Sequence, residues 1–244
     1  MTATGLVLVQ GLFVSDDAMK PGNAHSSRVR RAKLFAKYGD LLGVRDYEWV
    51  EGRAKALANQ LLRLARGTGP AVDAVEIVEL DEATVRASLV DESARVLWQK
   101  VASCAPYGFD ATRSFILMGA PRELLEGPGS GQRLLWFGHG LSQLSETEFI
   151  AHYTGRHGPL VVKYAQQMGL RRYRQVPSEQ GSLCDDLRQV GLGRAAAPAV
   201  FAELVMGRPP LDLASLRESR RGASEIKADE KRHIDFSRSM LLLT

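Results

Sequence analysis

His157 is the residue whose surroundings in the sequence point most directly to chemistry. Residues 146–168 predict a helix in which apolar and aromatic side chains recur at steps of three and four, and His157 falls on that inward-facing stripe. Pro159 cannot continue helical hydrogen bonding, so the helix should kink just after His157 and expose the imidazole. A half-buried imidazole suits a general acid or base. The alternative is a histidine at a kink, bonded to a nearby carbonyl.

Other polar residues could share a pocket with His157. Tyr153, one turn earlier, is predicted to form a pocket wall and could also take part in catalysis. His139 follows a short predicted strand and could lie at the mouth of the pocket. Glu76 and Glu203 interrupt apolar strands at matching places. That position favours inward carboxylates with a raised pKa, or else polar residues on an exposed strand face.

Metal and cofactor chemistry are not expected. His152 and His157 are five residues apart, about 140° around an α-helix, so their rings should diverge and not form the pair of a zinc site. Cys104 and Cys184 are far apart and form no CxxC motif, which favours reduced thiols. No dinucleotide-binding or phosphate-binding loop follows a predicted strand. The sequence predicts neither a bound metal nor another cofactor.

The elements that would position these residues occur twice. Residues 37–50 align without a gap with residues 163–176, and six of the fourteen positions are identical. Each half predicts the order strand, helix, strand, strand, helix, strand, which is that of a ferredoxin-like βαββαβ unit. We therefore predict a degenerate domain over 1–126 and a second domain over 132–244. Arg31 stands in the first copy where the second has His157.

The predicted fold class is α+β, with two tandem ferredoxin-like units. In such a unit both helices cover one face of the sheet, so the other face must be buried by something else. Two units in one chain can press their sheets together as an intramolecular dimeric α+β barrel. The space between the sheets would be a pocket for a small apolar ligand. Inserts over 51–70 and 177–198 could cover it.

Composition limits the partners. The chain has 244 residues and a formal net charge of +4, and its arginines accompany no nucleic-acid recognition motif. No apolar stretch approaches the ~20 residues of a membrane span, and the N-terminus has no basic leader. We expect a cytoplasmic protein with no nucleic-acid or membrane partner, whose partner is a small hydrophobic or aromatic substrate. A homodimer of these pseudo-dimers is left open.

One stretch resembles a known family. The run LSETEFIAHYTGRHGPL over 144–160, with the following LRRYRQ, resembles the EthD family of dimeric α+β barrel proteins, whose members carry an Arg-x-x-His-Gly-Pro-Leu-like signature on the first helix. The segment DEKRHID over 229–235 is similar to the closing acidic segment of that family. Two departures stand out. Thr154 occupies the usual arginine position, with Arg156 displaced next to the histidine, and His233 stands where an aromatic residue is common.

The resemblance implies a range of reactions. Relatives of this barrel include apparent dehydratases, decarboxylases, isomerases and cofactor-free oxygenases of aromatic or polyketide metabolism. We predict a cofactor-independent enzyme of the lyase, decarboxylase or isomerase type that acts on an aromatic or polyketide-like substrate. The alternatives are a cofactor-free oxygenase of the same fold and a non-catalytic ligand-binding barrel. The predicted catalytic residues are His157, Tyr153 and His233. The predicted substrate-binding residues are His139, Arg156, Arg172, Glu203 and Glu76.

Overall fold

The chain forms two compact units. The computed structural model describes residues 5–13, 23–51, 72–104, 112–179 and 181–244. Among these, the first unit comprises the residues up to 120 together with 179–197, and the second unit comprises 121–178 and 198–244.

The first unit contains a four-stranded antiparallel sheet. Its strands are β1 (Gly5–Leu12), β2 (Val44–Glu51), β3 (Ala74–Asp81) and β4 (Phe115–Gly119), in the order β2-β3-β1-β4. Its helices are α1 (Asn23–Leu42), α2 (Glu82–Val90) and α3 (Glu92–Ser103). The single helix predicted after β3 is two helices because the Asp91 carboxylate accepts from the Ala94 N–H and starts a new helix.

The second unit repeats this order and adds one edge strand. Its strands are β5 (Arg122–Leu125), β6 (Gln132–Gly138), β7 (Leu170–Pro177), β8 (Val200–Met206) and β9 (Met240–Leu243), in the antiparallel order β5-β7-β8-β6-β9. The extra strand β5 falls at the end of the predicted first domain, yet it pairs with β7 of the second unit.

The first helix of the second unit changes its winding part-way. It begins as α4 (Glu146–His152), where Ser145 and Glu148 form a reciprocal capping box. A π-helical turn over Tyr153–His157 follows, then α5 (Gly158–Lys163) and α6 (Ala165–Met168). The Gly158 N–H donates to the Tyr153 carbonyl, five residues back. The kink expected at Pro159 therefore takes the form of a wider turn just before it.

Gly158 allows this helix to approach the sheet closely. A Cβ at that position would lie 2.6 Å from Leu124 Cδ1 and 2.9 Å from Gln175 Nε2. A larger residue at this position would require the ends of the Leu124 and Gln175 side chains to move.

The domain boundaries differ from the predicted ones at 126 and 132. Helix α7 (Ser182–Gln189) follows β7 in sequence but packs into the core of the first unit, where Leu183 and Leu187 are buried in one cluster with Trp98. The N–H groups of Arg194 and Ala195 both donate to the Ser114 carbonyl. The apolar face of α7 explains this placement. The corresponding insert at 51–70 lies almost entirely outside the described residues.

The long helix α8 (Leu213–His233) completes the second unit and supplies most of the residues discussed below. Asp212 caps its start by accepting from the Ser215 N–H. Among the described residues, neither this nor any other helix combines the length and apolar character needed to cross a membrane.

Candidate active site

A cavity of about 460 Å³ lies inside the second unit, between its helices and its sheet. The strands contribute apolar side chains to its wall, among them Trp136, Leu204 and Met206. Helix α8 contributes the opposite wall through residues that include Ile226. His157 thus lies at a cavity on the helix side of the sheet of the second unit.

His157 lines this cavity and is only 4% exposed. Its Nδ1 lies 3.1 Å from Asp229 Oδ2. Because a carboxylate can only accept, Nδ1 carries the hydrogen and Nε2 is left with its lone pair for a substrate. The ring also stacks on Tyr153, with centroids 4.9 Å apart, which fixes its plane.

Two further histidines form hydrogen bonds with Asp229. His152 Nε2 lies 3.0 Å from Asp229 Oδ1, and His233 Nδ1 bonds the Asp229 carbonyl oxygen at 2.7 Å. We call these four residues, Asp229, His152, His157 and His233, the Asp229 cluster. The expectation that His152 and His157 diverge is wrong. The π-helical turn between them rotates by a smaller angle per residue than an α-helix, and it brings both rings to one carboxylate.

Burial and hydrogen bonding set the pKa values of three residues of the Asp229 cluster. Burial lowers the pKa of His157 below its usual value, although the hydrogen bond that His157 donates to Asp229 and the charge of Glu230 act in the opposite direction. Burial, with the neighbouring imidazoles, lowers the pKa of His233 to about 4. Burial acts to raise the pKa of Asp229, but the hydrogen bonds from His157 and His152 outweigh it and lower that pKa. At neutral pH, His157 and His233 are therefore neutral imidazoles beside the Asp229 carboxylate.

Three members of the cluster could also hold a metal ion. Ligand atoms of His152, Asp229 and His233 lie within 4.8 Å of one another, and a donor set of two imidazoles and one carboxylate suits ions such as Zn²⁺ or Fe²⁺. The hydrogen bond from His233 Nδ1 to a carbonyl leaves only its Nε2 for a metal, and that buried atom has no hydrogen-bond partner. The absence of a metal stays a prediction.

Two tyrosines form a hydroxyl pair in the cavity wall. Gln175 Nε2 donates to the Tyr173 hydroxyl at 2.7 Å, and the Tyr173 hydroxyl lies 3.4 Å from that of Tyr153. The Tyr173 hydroxyl donates to the Tyr153 hydroxyl over this long distance, and the oxygen of a ligand could take the place of Tyr153 as acceptor. Burial raises the pKa of Tyr173 to about 12, so it stays a donor.

A family model matches part of the second unit. It is described as the EthD domain and matches residues 141–237, which hold the Asp229 cluster and most of the residues that line the cavity. This part of the second unit is similar to an EthD domain. The match ends within the second unit, so it says nothing about the first.

Solved structures resemble the whole chain in fold. A mutant chlorite dismutase from Candidatus Nitrospira defluvii in complex with cyanide is 11% identical, with a TM-score of 0.51, and the match covers 100% of this chain and 90% of that one. A second mutant of that enzyme is 9% identical, with a TM-score of 0.50, covering 100% and 92%. These matches confirm the predicted fold class, that of dimeric α+β barrel proteins with two ferredoxin-like units in one chain. None of the curated sequences compared with the chain resembles it significantly.

The comparisons correct our main functional prediction. A protein from Lactobacillus acidophilus NCFM with the provisional name monooxygenase is 8% identical, with a TM-score of 0.47, and the match covers 98% of this chain and 92% of that one. The chlorite dismutases of similar fold are named for a redox reaction and not for a lyase or isomerase reaction. The lyase, decarboxylase or isomerase prediction is wrong, and the oxygenase alternative fits better.

Neither of the two predicted glutamates is among the described residues that line the cavity. Glu203 is on β8, on the face opposite to Leu204, and pairs with Arg174 at 2.8 Å and Arg133 at 2.5 Å. Glu76 belongs to the first unit, where Arg31 pairs with it at 2.5 Å. Burial raises the pKa of Glu76, as predicted, but both carboxylates are engaged by arginines and not by a substrate site.

Three other predicted substrate ligands are also outside the cavity lining. Arg156 is two-thirds exposed and lies 3.7 Å from Asp229 Oδ1, so it caps the cluster from the solvent side. Arg172 pairs with Glu123 at 2.9 Å. The backbone N–H of His139 donates to the Ser239 hydroxyl. Burial lowers the pKa of the His139 imidazole to about 4. Of the predicted residues, the structure brings only His157 and Tyr153 to the cavity wall and His233 directly behind them.

Proposed function

We propose that the second unit is an oxygenase that acts on a small apolar substrate and needs no cofactor. The observation that carries the proposal is the His157–Asp229 pair at the wall of an apolar cavity. A neutral imidazole with its Nε2 free can remove a proton from a substrate, and the resulting anion can itself reduce dioxygen. The enzymes named among the fold relatives give additional support for an enzymatic and oxidative role.

The step balances without an outside reductant. A suitable substrate has a methylene made acidic by flanking aryl or carbonyl groups. His157 takes one proton, the carbanion passes one electron to dioxygen, and recombination forms a carbon–oxygen bond as a hydroperoxide. Loss of the second methylene hydrogen as a proton, with cleavage of the O–O bond, releases water and leaves a ketone. Overall R₂CH₂ and O₂ give R₂C=O and H₂O, and one oxygen atom of O₂ enters the product.

The tyrosine pair would stabilise the anion. Deprotonation next to a carbonyl moves negative charge onto its oxygen, and a donor aimed at that oxygen stabilises the transition state. Tyr173, oriented by Gln175, is such a donor within the wall that also holds His157. The apolar lining keeps bulk water from the anion.

Oxygen uptake with anthrone tests the proposal. Anthrone has an acidic methylene between two aryl rings, and the enzyme should consume oxygen above the rate in buffer and place one ¹⁸O atom from ¹⁸O₂ in the product. His157→Asn should lower turnover by about 10²–10⁴-fold, since Asn cannot titrate near neutrality. His139→Asn is the matched control, because His139 lies outside the cavity.

Two results would overturn the proposal. One is His157→Asn retaining more than about a tenth of the wild-type rate, which a general base does not allow. The other is tight binding of anthrone with no oxygen uptake above buffer, which would favour the non-catalytic ligand-binding barrel.

A further inference from the structure

We infer that the substrate carries an anionic group at the end of the molecule that faces away from His157. This inference rests on the proposed function only in taking the cavity as the substrate site. Its basis is that Lys227 and Lys231 both line the cavity and are both exposed, whereas His157 and Tyr153 are almost fully buried. The cavity therefore has an apolar, proton-accepting interior and a rim with two cations.

The two lysines are on one face of α8. Residues four apart in an α-helix are neighbours, so both ammonium groups reach the same side of the opening. In the part of the chain that the structure describes, neither lysine has a carboxylate within ion-pair distance. Other cations near this helix differ: Lys163 lies 3.3 Å from Glu225, and Arg221 lies 3.1 Å from it.

Among the described residues of the lining, the one acid is placed differently. Glu230 is 8% exposed, and its charge raises the pKa of His157, which puts it on the inner side. The negative charge is thus near the base and the positive charges are at the rim. A ligand with a polar, ionisable reacting end and an anionic tail matches this separation of charge.

The chemical class follows from the size and the lining. About 460 Å³ of mainly apolar wall suits a ring system of two or three fused or linked rings. A lysine ammonium is a point charge and does not select the planar geometry of one anion as arginine does. We therefore assign an aromatic or polycyclic molecule with a terminal carboxylate, sulfonate or phosphate, without a choice among the three.

A pair of fluorescent probes separates charge from shape. 8-Anilinonaphthalene-1-sulfonate is anionic, and N-phenyl-1-naphthylamine has the same rings without the sulfonate. The double variant Lys227→Gln, Lys231→Gln should weaken binding of the anionic probe by about tenfold, which is the summed contribution expected from two exposed ammonium groups. Binding of the neutral probe should not change. The control is Arg220→Gln, Arg232→Gln, which removes the same charge from exposed α8 residues outside the lining.

The site of probe binding is checked by a blocking variant. Ala223 lines the cavity and is exposed, so Ala223→Trp should fill the opening and abolish binding of both probes without unfolding the protein. Equal weakening of both probes by the lysine variant would mean that the lysines only pack, and no weakening would mean that they do not meet the ligand. Either result overturns the inference, as does failure of the wild type to bind the anionic probe.

These outcomes are independent of the proposed function. Oxygen uptake that depends on His157, together with unchanged anionic-probe binding in the lysine variant, would keep the oxygenase and reject the anionic tail. Loss of anionic-probe binding in that variant, with no oxygen uptake from anthrone, would keep the anionic ligand and reject the oxygenase.

Discussion

Replacing Asp229 by Asn should remove most of the activity while keeping the fold. The carboxylate accepts from His157 Nδ1 at 3.1 Å and from His152 Nε2 at 3.0 Å, so both hydrogens are on the bonded nitrogens. An amide has one acceptor and one donor group, and an NH₂ facing His157 would force its proton onto Nε2. The nitrogen that faces the cavity would then no longer be a base.

The size of the loss can be worked from this geometry. A wrong tautomer removes the whole proton-transfer contribution, about 10²–10⁴-fold in turnover. At ~1.4 kcal/mol per tenfold, that is about 3–5 kcal/mol of barrier. Removing the carboxylate also removes the hydrogen bond and charge of Asp229, which oppose the effect of burial at His157, so the pKa of His157 should fall further. The acid limb of the pH–rate profile, along which activity falls as His157 is protonated, should move to lower pH.

The assay is oxygen uptake with anthrone between about pH 4 and pH 8, with thermal unfolding as the check on folding. Glu225→Gln is the matched control, because it removes an exposed carboxylate of the same helix that faces Lys163 and Arg221. A folded Asp229→Asn protein with more than about a tenth of the wild-type plateau would refute the reasoning. If the plateau of the pH–rate profile were lower but its acid limb stayed at the same pH, Asp229 would have only a structural role.

Three further predictions concern stability and metal content. The pKa of His233 is about 4 in the folded protein and 6.5 ordinarily, so on acidification the unfolded chain takes up a proton at this histidine before the folded protein does. The free energy of unfolding, measured with urea, should therefore be full above pH 6.5 and fall towards pH 4. The fall should be shallower in His233→Phe. Arg31→Ala leaves the buried Glu76 carboxylate without its ion-pair partner and should lower the free energy of unfolding by about 3–5 kcal/mol. The double variant Arg31→Met, Glu76→Gln should recover most of this loss. Turnover per folded molecule should change little in either variant. Dialysis against EDTA should leave oxygen uptake unchanged; loss of activity that a single divalent metal restores would instead make the Asp229 cluster a metal site.

The features that could be predicted from the sequence are those set by local periodicity. Repeated strand and helix patterns indicated both βαββαβ units, and the apolar stripe on residues 146–168 indicated that His157 points inward. Both depend on side chains a few residues apart. The same periodicity misled us about His152, because it assumes α-helical winding, and a single π-helical turn alters the angle between the two histidines.

The partners of His157 depend on contacts far apart in sequence. Asp229 is 72 residues from His157, and nothing in the local pattern pairs them. A signal was present in hindsight: Asp229 and His233 are four apart on one helix, within the acidic segment similar to that of the EthD family. Glu203 shows the opposite error, since an acid in an apolar strand looks the same in sequence whether it meets a substrate or Arg174.

The placement of α7 has a consequence for how the protein is made. The core of the first unit includes Leu183, Leu187 and Leu192, which the ribosome synthesises after β5, β6 and β7 of the second unit. The first unit therefore cannot complete its core during synthesis until most of the second unit's sheet has been translated. A gene cut between the two copies would encode an amino-terminal fragment with exposed apolar side chains on α2 and α3. The first unit thus depends on residues of the carboxy-terminal half, and the amino-terminal half should be recoverable as folded protein only when the other half is present.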